Sequence, residues 1–232
     1  MKKIQVQQHK IVIHENQEVF SPSITTGLLL GCLSVSPGES VCDMGAGTGV
    51  LGIMSSKLGA KSVSFIDIDL VALQMVKKNL LANQIENYEL IQSDIFKNVP
   101  GKYDVIVVNL PQLPIAPKYE TSIKPKDKGG GEKGNTLVLK FLNEAKDHLN
   151  KNGRIYFPVF GVSAKQTTIR TINCLYNSRT LKTQKVRVSS DQVIQQNLEH
   201  IYQLQKSGDA EIFIDEKSEY LEVSILELKK TI

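Results

Sequence analysis

The first residues alternate between polar and apolar side chains, and the chain then changes to apolar runs separated by helix-like periodicity. The alternation over residues 3–14, around a polar centre at residues 7–10, predicts a β-hairpin. Buried strands are predicted at residues 40–44, 62–67, 88–92 and 103–108. One helix is predicted through Leu28–Leu33, with Thr25 or Thr26 as its cap. Two further helices are predicted at residues 50–58 and 70–82. This repetition predicts an α/β fold, with a mostly parallel, doubly wound sheet that binds ligands at the carboxyl ends of its strands.

The second half of the chain continues the pattern beyond a fifth strand. A helix near residues 163–176, a strand near 180–188, a helix near 190–206 and a last, antiparallel strand at 220–228 would complete the sheet. The segment between Pro111 and Gly134 is rich in proline and lysine, which predicts a mobile loop over the site. Its lysines are Lys118, Lys124, Lys126, Lys128 and Lys133.

A glycine-rich turn, which we call the glycine turn, follows the strand at residues 40–44. It consists of Gly45, Ala46, Gly47, Thr48 and Gly49. Glycines let the main chain approach a ligand closely, and the helix that follows offers unpaired amide groups. The turn therefore predicts a site for a nucleotide-like cofactor.

The glycine turn is compatible with two kinds of cofactor. Counted from Gly47, the glycines match the dinucleotide fingerprint, which would favour a nicotinamide-dependent oxidoreductase. The carboxylate of Asp43, just before the turn, would repel a diphosphate but attract a cationic aminoacyl group such as that of S-adenosylmethionine. Asp43 could instead cap the helix or brace the turn.

Polar side chains also follow the next three predicted strands. Asp67 lies about twenty residues beyond the turn, where a carboxylate accepts hydrogen bonds from both ribose hydroxyls. After the third strand, Asp94 could accept from an adenine amino group while Ile95 packs on the ring. Asn109 follows the fourth strand, beside the reacting end of the ligand. Each acid alone could be a helix cap or turn former, but a series at successive strand ends predicts a site.

Composition limits the other possibilities. The 232 residues suffice for one α/β domain, and no apolar stretch is long enough to cross a bilayer. Three separated cysteines and four unpaired histidines predict neither disulfides nor a metal site, and we expect a cytoplasmic protein with reduced thiols. Basic residues between residues 165 and 188 have no acidic neighbour in sequence, so nucleic acid is a possible partner there.

The chain resembles the class I S-adenosylmethionine-dependent methyltransferases. Within them it is similar to the HemK-like, small-domain branch, which includes the glutamine-amide methyltransferases of release factors and amino-methylating nucleic-acid enzymes. The resemblance covers residues 19 to about 160 and rests on the glycine turn, Asp67, Asp94 and a segment with Pro22 and Thr26 before the first helix. The glycine-rich residues 129–134 and residues 149–156 add to it. The resemblance implies a Rossmann-like, seven-stranded sheet, S-adenosyl-L-methionine as cofactor, and cover for that cofactor from Phe20, Pro22 and Thr26.

The branch's signature, Asn-Pro-Pro followed by an aromatic residue, is present in part. Asn109 and Pro111 match it, whereas Leu110 replaces a proline and Gln112 replaces the aromatic ring. An asparagine oxygen and the next main-chain carbonyl accept both hydrogens of a planar NH2 group, which points its nitrogen lone pair at the methyl group. In relatives the ring stacks on the acceptor, a surface that Tyr119 or Phe20 would have to supply here.

We therefore expect a methyltransferase with residues 1–26 as hairpin and cofactor-covering segment and residues 27–232 as catalytic domain. The expected catalytic residues are Asn109 and Pro111. The expected cofactor-binding residues are Phe20, Pro22, Thr26, Asp43, Gly45, Ala46, Gly47, Thr48, Gly49, Asp67, Ile68, Asp94, Ile95 and Asn109. The expected acceptor is a protein amide or RNA amino nitrogen. A small-molecule acceptor, a non-catalytic cofactor-binding protein and the oxidoreductase remain as alternatives.

Overall fold

The computed structural model describes residues 1–119, 129–190, 192–215 and 218–231. The strands are β1 (Lys2–Val6), β2 (His9–Ile13), β3 (Ser40–Met44), β4 (Ser62–Asp67), β5 (Tyr88–Gln92), β6 (Tyr103–Val108), β7 (Leu149–Phe160), β8 (Tyr176–Arg187), β9 (Phe213–Asp215) and β10 (Ser218–Lys230). The helices are α1 (Ile24–Cys32), α2 (Val50–Lys57), α3 (Leu70–Ala82), α4 (Thr136–Ala145), α5 (Lys165–Leu175), α6 (Gln192–Gln196) and α7 (Leu198–Lys206).

The main sheet has the strand order β5-β4-β3-β6-β7-β10-β8. Strands β5, β4, β3, β6 and β7 pair in parallel, and β10 is antiparallel to both β7 and β8. The predicted seven-strand, mostly parallel sheet with an antiparallel last strand is confirmed. The short strand β9, which the sequence patterns did not indicate, pairs with the beginning of β10.

The central strands are buried on both faces. Along β6, Val105 and Val107 belong to one apolar cluster, whereas Ile106 and Val108 belong to the other. The helices α1, α2 and α3 contribute to the first cluster, and α4 and α5 contribute to the second. Two covered faces explain why these strands appear in the sequence as continuous apolar runs.

The predicted hairpin at residues 3–14 is confirmed as a separate two-stranded sheet of β1 and β2. It packs on α2 and α3, and the side chains of Ile11 and Ile13 are fully buried in the main core. The hairpin is therefore part of the packed body of the protein.

Two predicted elements need correction, and helix α4 was not predicted. Ser23, not Thr25 or Thr26, caps α1: its side chain accepts from the Thr26 amide, and the Thr26 side chain accepts from the Ser23 amide. The helix predicted near residues 190–206 is divided into α6 and α7, with Asn197 as the N-cap of the second. Helix α4 was assigned to no element, although its apolar residues Val138, Phe141 and Leu142 follow helical spacing.

Within the described residues, no helix is both long and apolar enough to span a membrane. The same residues contain no group of three or more histidine, cysteine or acidic side chains that could hold a metal ion.

Candidate functional site

The glycine turn lies at the carboxyl end of β3, between β4 and β6. Gly45, Gly47 and Gly49 have φ angles of 69°, 54° and 78°, which side chains with a Cβ rarely adopt. The amides of Gly45 and Ala46 both donate to the carbonyl of Ile66, at 2.8 and 2.9 Å. Helix α2 therefore begins at the carboxyl edge of the sheet, where its first amide groups have no acceptor within the helix.

Asp43 is buried beneath this turn, with 1% of its surface exposed. Its Oδ2 accepts from the amide of Gly52 in the first turn of α2, at 2.8 Å. This contact is the bracing role that the sequence left open. Burial raises the pKa of Asp43 to about 8, although the Gly52 amide opposes the shift; the nearby Asp67 adds to it. A cationic group bound above the turn would stabilise the ionised carboxylate.

Asp67, at the end of β4, contacts the glycine turn directly. Its Oδ2 accepts from the amide of Gly47 at 2.9 Å, and its Oδ1 accepts from the amide of Asp69 at 3.0 Å. Burial raises its pKa, and these two amides oppose the shift. Ile68 beside it is 56% exposed, an apolar surface next to the carboxylate. The pair offers acceptors for hydroxyl groups and a face for a flat ring.

Asp94 and Ile95 follow β5. The Asp94 carboxylate forms an ion pair with Lys140 of α4 at 2.6 Å and remains partly exposed. Ile95 is 4% exposed and packs in the second core cluster, with a φ angle of 54°. A β-branched residue in this conformation is strained, and such strain is found most often at functional sites. Adenine recognition by this pair stays a prediction.

Asn109, at the carboxyl end of β6, is held by α1. Its Nδ2 donates to Oγ1 of Thr26 at 3.2 Å, across 83 positions of sequence. No described residue donates a hydrogen bond to its Oδ1. The contact therefore directs the nitrogen of the amide toward α1 and leaves its oxygen available to a ligand.

The segment before α1 passes over the glycine turn. The carbonyl of Phe20 lies 3.8 Å from the position of a Cβ placed on Gly47, and the side chain of Phe20 is 48% exposed. Pro22 directly precedes Ser23, the cap of α1. Phe20 thus lies beside the turn and Thr26 beside Asn109, and the cover that Phe20, Pro22 and Thr26 would give a cofactor stays a prediction.

In the rest of the tetrapeptide, Leu110 and Gln112 are buried, whereas Pro111 is half-buried. Leu110 packs against the turn so closely that a Cβ on Gly45 would lie 2.8 Å from its Cδ2. Gln112 is 3% exposed; its Nε2 donates to the carbonyl of Pro158 at 3.0 Å, and its Oε1 has no hydrogen-bond partner among the described residues. Gln112 therefore presents no stacking face to a ligand. Tyr119 is more exposed, and the ammonium group of Lys118 lies 5.0 Å from its ring centre.

The glycine-rich residues 129–134 pack against this segment. The amide of Gly130 donates to the carbonyl of Leu113, and the amide of Ile115 donates to the carbonyl of Gly131. The described parts of the predicted mobile loop are thus held by main-chain hydrogen bonds. Lys124, Pro125, Lys126 and Lys128 lie outside the described residues.

We expect Gly134→Ala to destabilise the protein by about 2 kcal/mol, because Gly134 has a φ of 75° and a Cβ would lie 2.5 Å from the carbonyl oxygen of Gln112. Gly208→Ala is the matched control, since Gly208 has a similar φ of 81° but open space around it. The control should cost about 1 kcal/mol from backbone strain alone. Urea unfolding measures both, and equal losses would show that Gly134 is not required by close packing.

The basic stretch at residues 165–188 is partly neutralised by the fold. Lys165 pairs with Glu211 at 2.7 Å, and Arg179 pairs with Glu227 at 3.2 Å. Lys182, Lys185 and Arg187 lie on the exposed edge strand β8. Basic side chains also protect an edge strand against unwanted pairing, so the stretch alone does not identify a nucleic-acid site.

Sequence reasoning missed Asn79 of α3. Its Nδ2 donates to the carbonyl of Thr48 in the glycine turn at 2.9 Å. The available signal was an asparagine, a poor helix former, at a core-facing position of a helix.

Comparison with known proteins matches the methyltransferase small domain family model to residues 10–188. A protein named as an N5-glutamine methyltransferase of Methanocaldococcus jannaschii is 31% identical over 173 residues, which are 74% of this chain and 86% of that protein. A ribosomal protein L11 methyltransferase of Caldanaerobacter subterraneus subsp. tengcongensis is 47% identical over 76 residues, but the match spans only 33% of this chain and 25% of that protein.

Solved structures share the fold at low sequence identity. A 16S rRNA methyltransferase of T. thermophilus, in complex with AdoMet and guanosine, gives a TM-score of 0.63 at 18% identity, covering 99% of this chain and 50% of that one. A precorrin-6y methyltransferase of Geobacter metallireducens gives 0.59 at 11% identity, covering 94% of each chain.

Proposed function

Because this chain belongs to the methyltransferase small domain family and is an S-adenosylmethionine-dependent methyltransferase, we propose that it methylates the side-chain amide nitrogen of a protein glutamine. The observation that carries the proposal is the orientation of Asn109, whose Nδ2 is held by Thr26 while its Oδ1 remains available. The similarity over most of an N5-glutamine methyltransferase supports the same acceptor.

The residues around the glycine turn fit the cofactor. The amides at the beginning of α2 and the carboxylate of Asp43 would hold the aminoacyl end, Asp67 the ribose hydroxyls, and Ile68 with Asp94 the adenine. When bound, S-adenosylmethionine supplies a methyl group on a cationic sulfur, which leaves as a neutral thioether. No diphosphate is needed to explain the turn, and the family match removes support from the oxidoreductase alternative.

Asn109 orients the acceptor in this proposal. Its Oδ1 and the carbonyl of Leu110 accept the two hydrogens of a primary amide, which draws the nitrogen lone pair toward the methyl carbon. The acceptor nitrogen held in this way would receive that methyl group, and the amide proton that it gives up would pass to solvent. Gln112 supplies no ring, so the hydrogen bonds to Asn109 and Leu110 hold the acceptor, which suits a primary amide. A nucleobase would also need a stacking face from Phe20 or Tyr119.

Asp67→Ala should weaken S-adenosylhomocysteine binding by about 30-fold, because two hydrogen bonds from the ribose to a carboxylate are lost. The matched control is Asp69→Ala, since Asp69 caps α3 through the amide of Val71 without touching the turn. Calorimetric titration of wild type and both variants, with NADH as a second ligand, makes the comparison. Binding of NADH alone, or equal losses in the two variants, would overturn the assigned cofactor site.

The acceptor is tested by transfer of labelled methyl groups from S-adenosylmethionine to a cell extract. The expected product is protease-sensitive, resists ribonuclease, and releases N5-methylglutamine on complete digestion. If the label were ribonuclease-sensitive instead, the acceptor would be an RNA amino group and the proposed protein amide would be wrong. Label in small molecules alone would exclude both macromolecules.

A further inference from the structure

One side chain joins the N-terminal hairpin to the glycine turn. Asn79 of α3 is fully buried, and its Oδ1 accepts from the amide of His14 at 2.7 Å. Its Nδ2 donates to the carbonyl of His14 at 3.1 Å and to the carbonyl of Thr48 at 2.9 Å. A single amide group thus contacts the residue after β2 and the turn at the candidate cofactor site.

One helical turn further on, Asn83 makes the corresponding contact with the hairpin alone. Its Oδ1 accepts from the amide of Val12 at 2.9 Å, and its Nδ2 donates to the carbonyl of Val12 at 2.6 Å. Its other hydrogen bond goes to the carbonyl of Asn79 within the helix end. The two asparagines therefore pair with the same edge of the hairpin, but only Asn79 reaches the turn.

The Thr48 carbonyl lies where the turn has the greatest conformational freedom. Thr48 stands between Gly47 and Gly49, both with positive φ, and glycine has no Cβ to restrict it. Because the peptide group is planar, holding the Thr48 carbonyl also orients the amide of Gly49, which donates to Ala46 at 2.7 Å. Asn79 thus restricts the turn in the conformation that presents α2 to a ligand.

Neither the helix nor its apolar neighbours explain why residue 79 is an asparagine. Val76 and Leu80, on the same buried side of α3, are both fully buried and apolar. A buried amide among apolar neighbours is tolerated only when its hydrogen bonds are made, and an asparagine inside a helix has poor intrinsic propensity. The contacts with His14 and Thr48 satisfy that requirement.

We infer that Asn79 is a positioning residue that couples docking of the N-terminal hairpin to cofactor affinity. The inference rests on the proposed binding of cofactor at the glycine turn. Coupling between two sites is reciprocal, so cofactor binding must also stabilise the docked hairpin. A structural anchor that did not act on the turn would show neither effect.

The test compares Asn79→Leu with Asn83→Leu, because leucine is close to asparagine in shape and both changes remove the hairpin contact. Asn79→Leu should weaken S-adenosylhomocysteine binding by about tenfold or more, and Asn83→Leu by less than about threefold. Urea unfolding of both variants shows whether their stabilities match. Equal losses of affinity would overturn the coupling and leave Asn79 as an anchor of the hairpin.

If Asn79→Leu does not fold, Asn79→Asp replaces it, because a carboxylate keeps the acceptor for the His14 amide and loses the donor to the carbonyls of His14 and Thr48. The same difference from Asn83→Leu is expected. Unchanged affinity in Asn79→Asp would contradict the inference.

Hydrogen exchange supplies a second readout in two comparisons, of which the first needs no bound ligand. In Asn79→Leu the amides of residues 45–49 should exchange faster than in Asn83→Leu, and in wild type S-adenosylhomocysteine should slow exchange over residues 10–15. Failure of wild type to bind S-adenosylhomocysteine would refute the proposed cofactor site. The ligand-free comparison would then still decide whether Asn79 restrains the turn, and equal exchange there would refute that restraint.

Discussion

Asn109→Ala should lower the rate of methyl transfer on the order of 100- to 1,000-fold while changing the affinity for S-adenosylhomocysteine less than about threefold. The alanine removes one of the two acceptors that would orient the NH2 group, and the carbonyl of Leu110 would have to act alone. The substitution leaves intact the hydrogen bond between Asp67 and the glycine turn, where the cofactor is proposed to bind. Single-turnover methyl transfer at saturating cofactor, with calorimetry on the same preparations, separates the two quantities.

Thr26 provides the matched variants. Thr26→Ser keeps the hydroxyl that accepts from Asn109 and from the Ser23 amide, so its rate should stay near that of wild type. Thr26→Val removes the hydroxyl and should slow transfer about tenfold, because Asn109 remains but is no longer oriented. A near-normal rate in Asn109→Ala would exclude its side-chain oxygen from the acceptor site.

Asp43→Asn should stabilise the protein relative to wild type by a margin that grows with pH. Asp43 is buried, with a pKa raised to about 8 from an ordinary value of 3.8, so the folded state keeps a proton that the unfolded chain releases. Its favourable contribution is complete below pH 4 and is lost as pH rises toward 8. The slope is about 1.4 kcal/mol per pH unit, or about 4 kcal/mol between pH 5 and 8.

Urea unfolding of wild type and Asp43→Asn at pH 5, 6, 7 and 8 measures this margin. The titration of groups that do not interact with Asp43 cancels in the difference, whereas Asp67, whose pKa is also raised, interacts with Asp43 and contributes a smaller part of the margin. A difference independent of pH would show that Asp43 is already ionised in the folded state. Saturating S-adenosylmethionine should reduce the pH dependence, because a cation near Asp43 favours its ionised form.

Short-range patterns were sufficient for the first half of the fold. The strands at 40–44, 62–67 and 103–108 were located to the residue, and a third strand was placed near 88–92, because each is an apolar run with a polar or turn-forming boundary. The second half was less exact: β8 and β10 extend beyond their predicted ends, and the strongly amphipathic α4 was left out. Long strands with an exposed edge have mixed patterns that do not define their ends.

The candidate site divides in the same way. The shared location of Gly45, Asp67 and Asn109 was predictable, because the carboxyl ends of parallel strands meet at one edge of the sheet. The ion pair of Asp94 with Lys140 and the burial of Gln112 were not predictable from spacing, because each depends on an element that packs from elsewhere in the chain.

By itself the sequence determined the α/β class, the glycine turn and the series of polar residues at the strand ends, since periodicity and turn chemistry are local properties. Only the tertiary structure decided how these residues are held. Thr26 orients Asn109 across 83 positions, and Asn79 joins His14 to Thr48 across 65 and 31. Such hydrogen bonds depend on where whole helices pack against the sheet. Hydrophobic burial determines how the helices pack, and it leaves no local sequence pattern at the polar residues that the packing brings together.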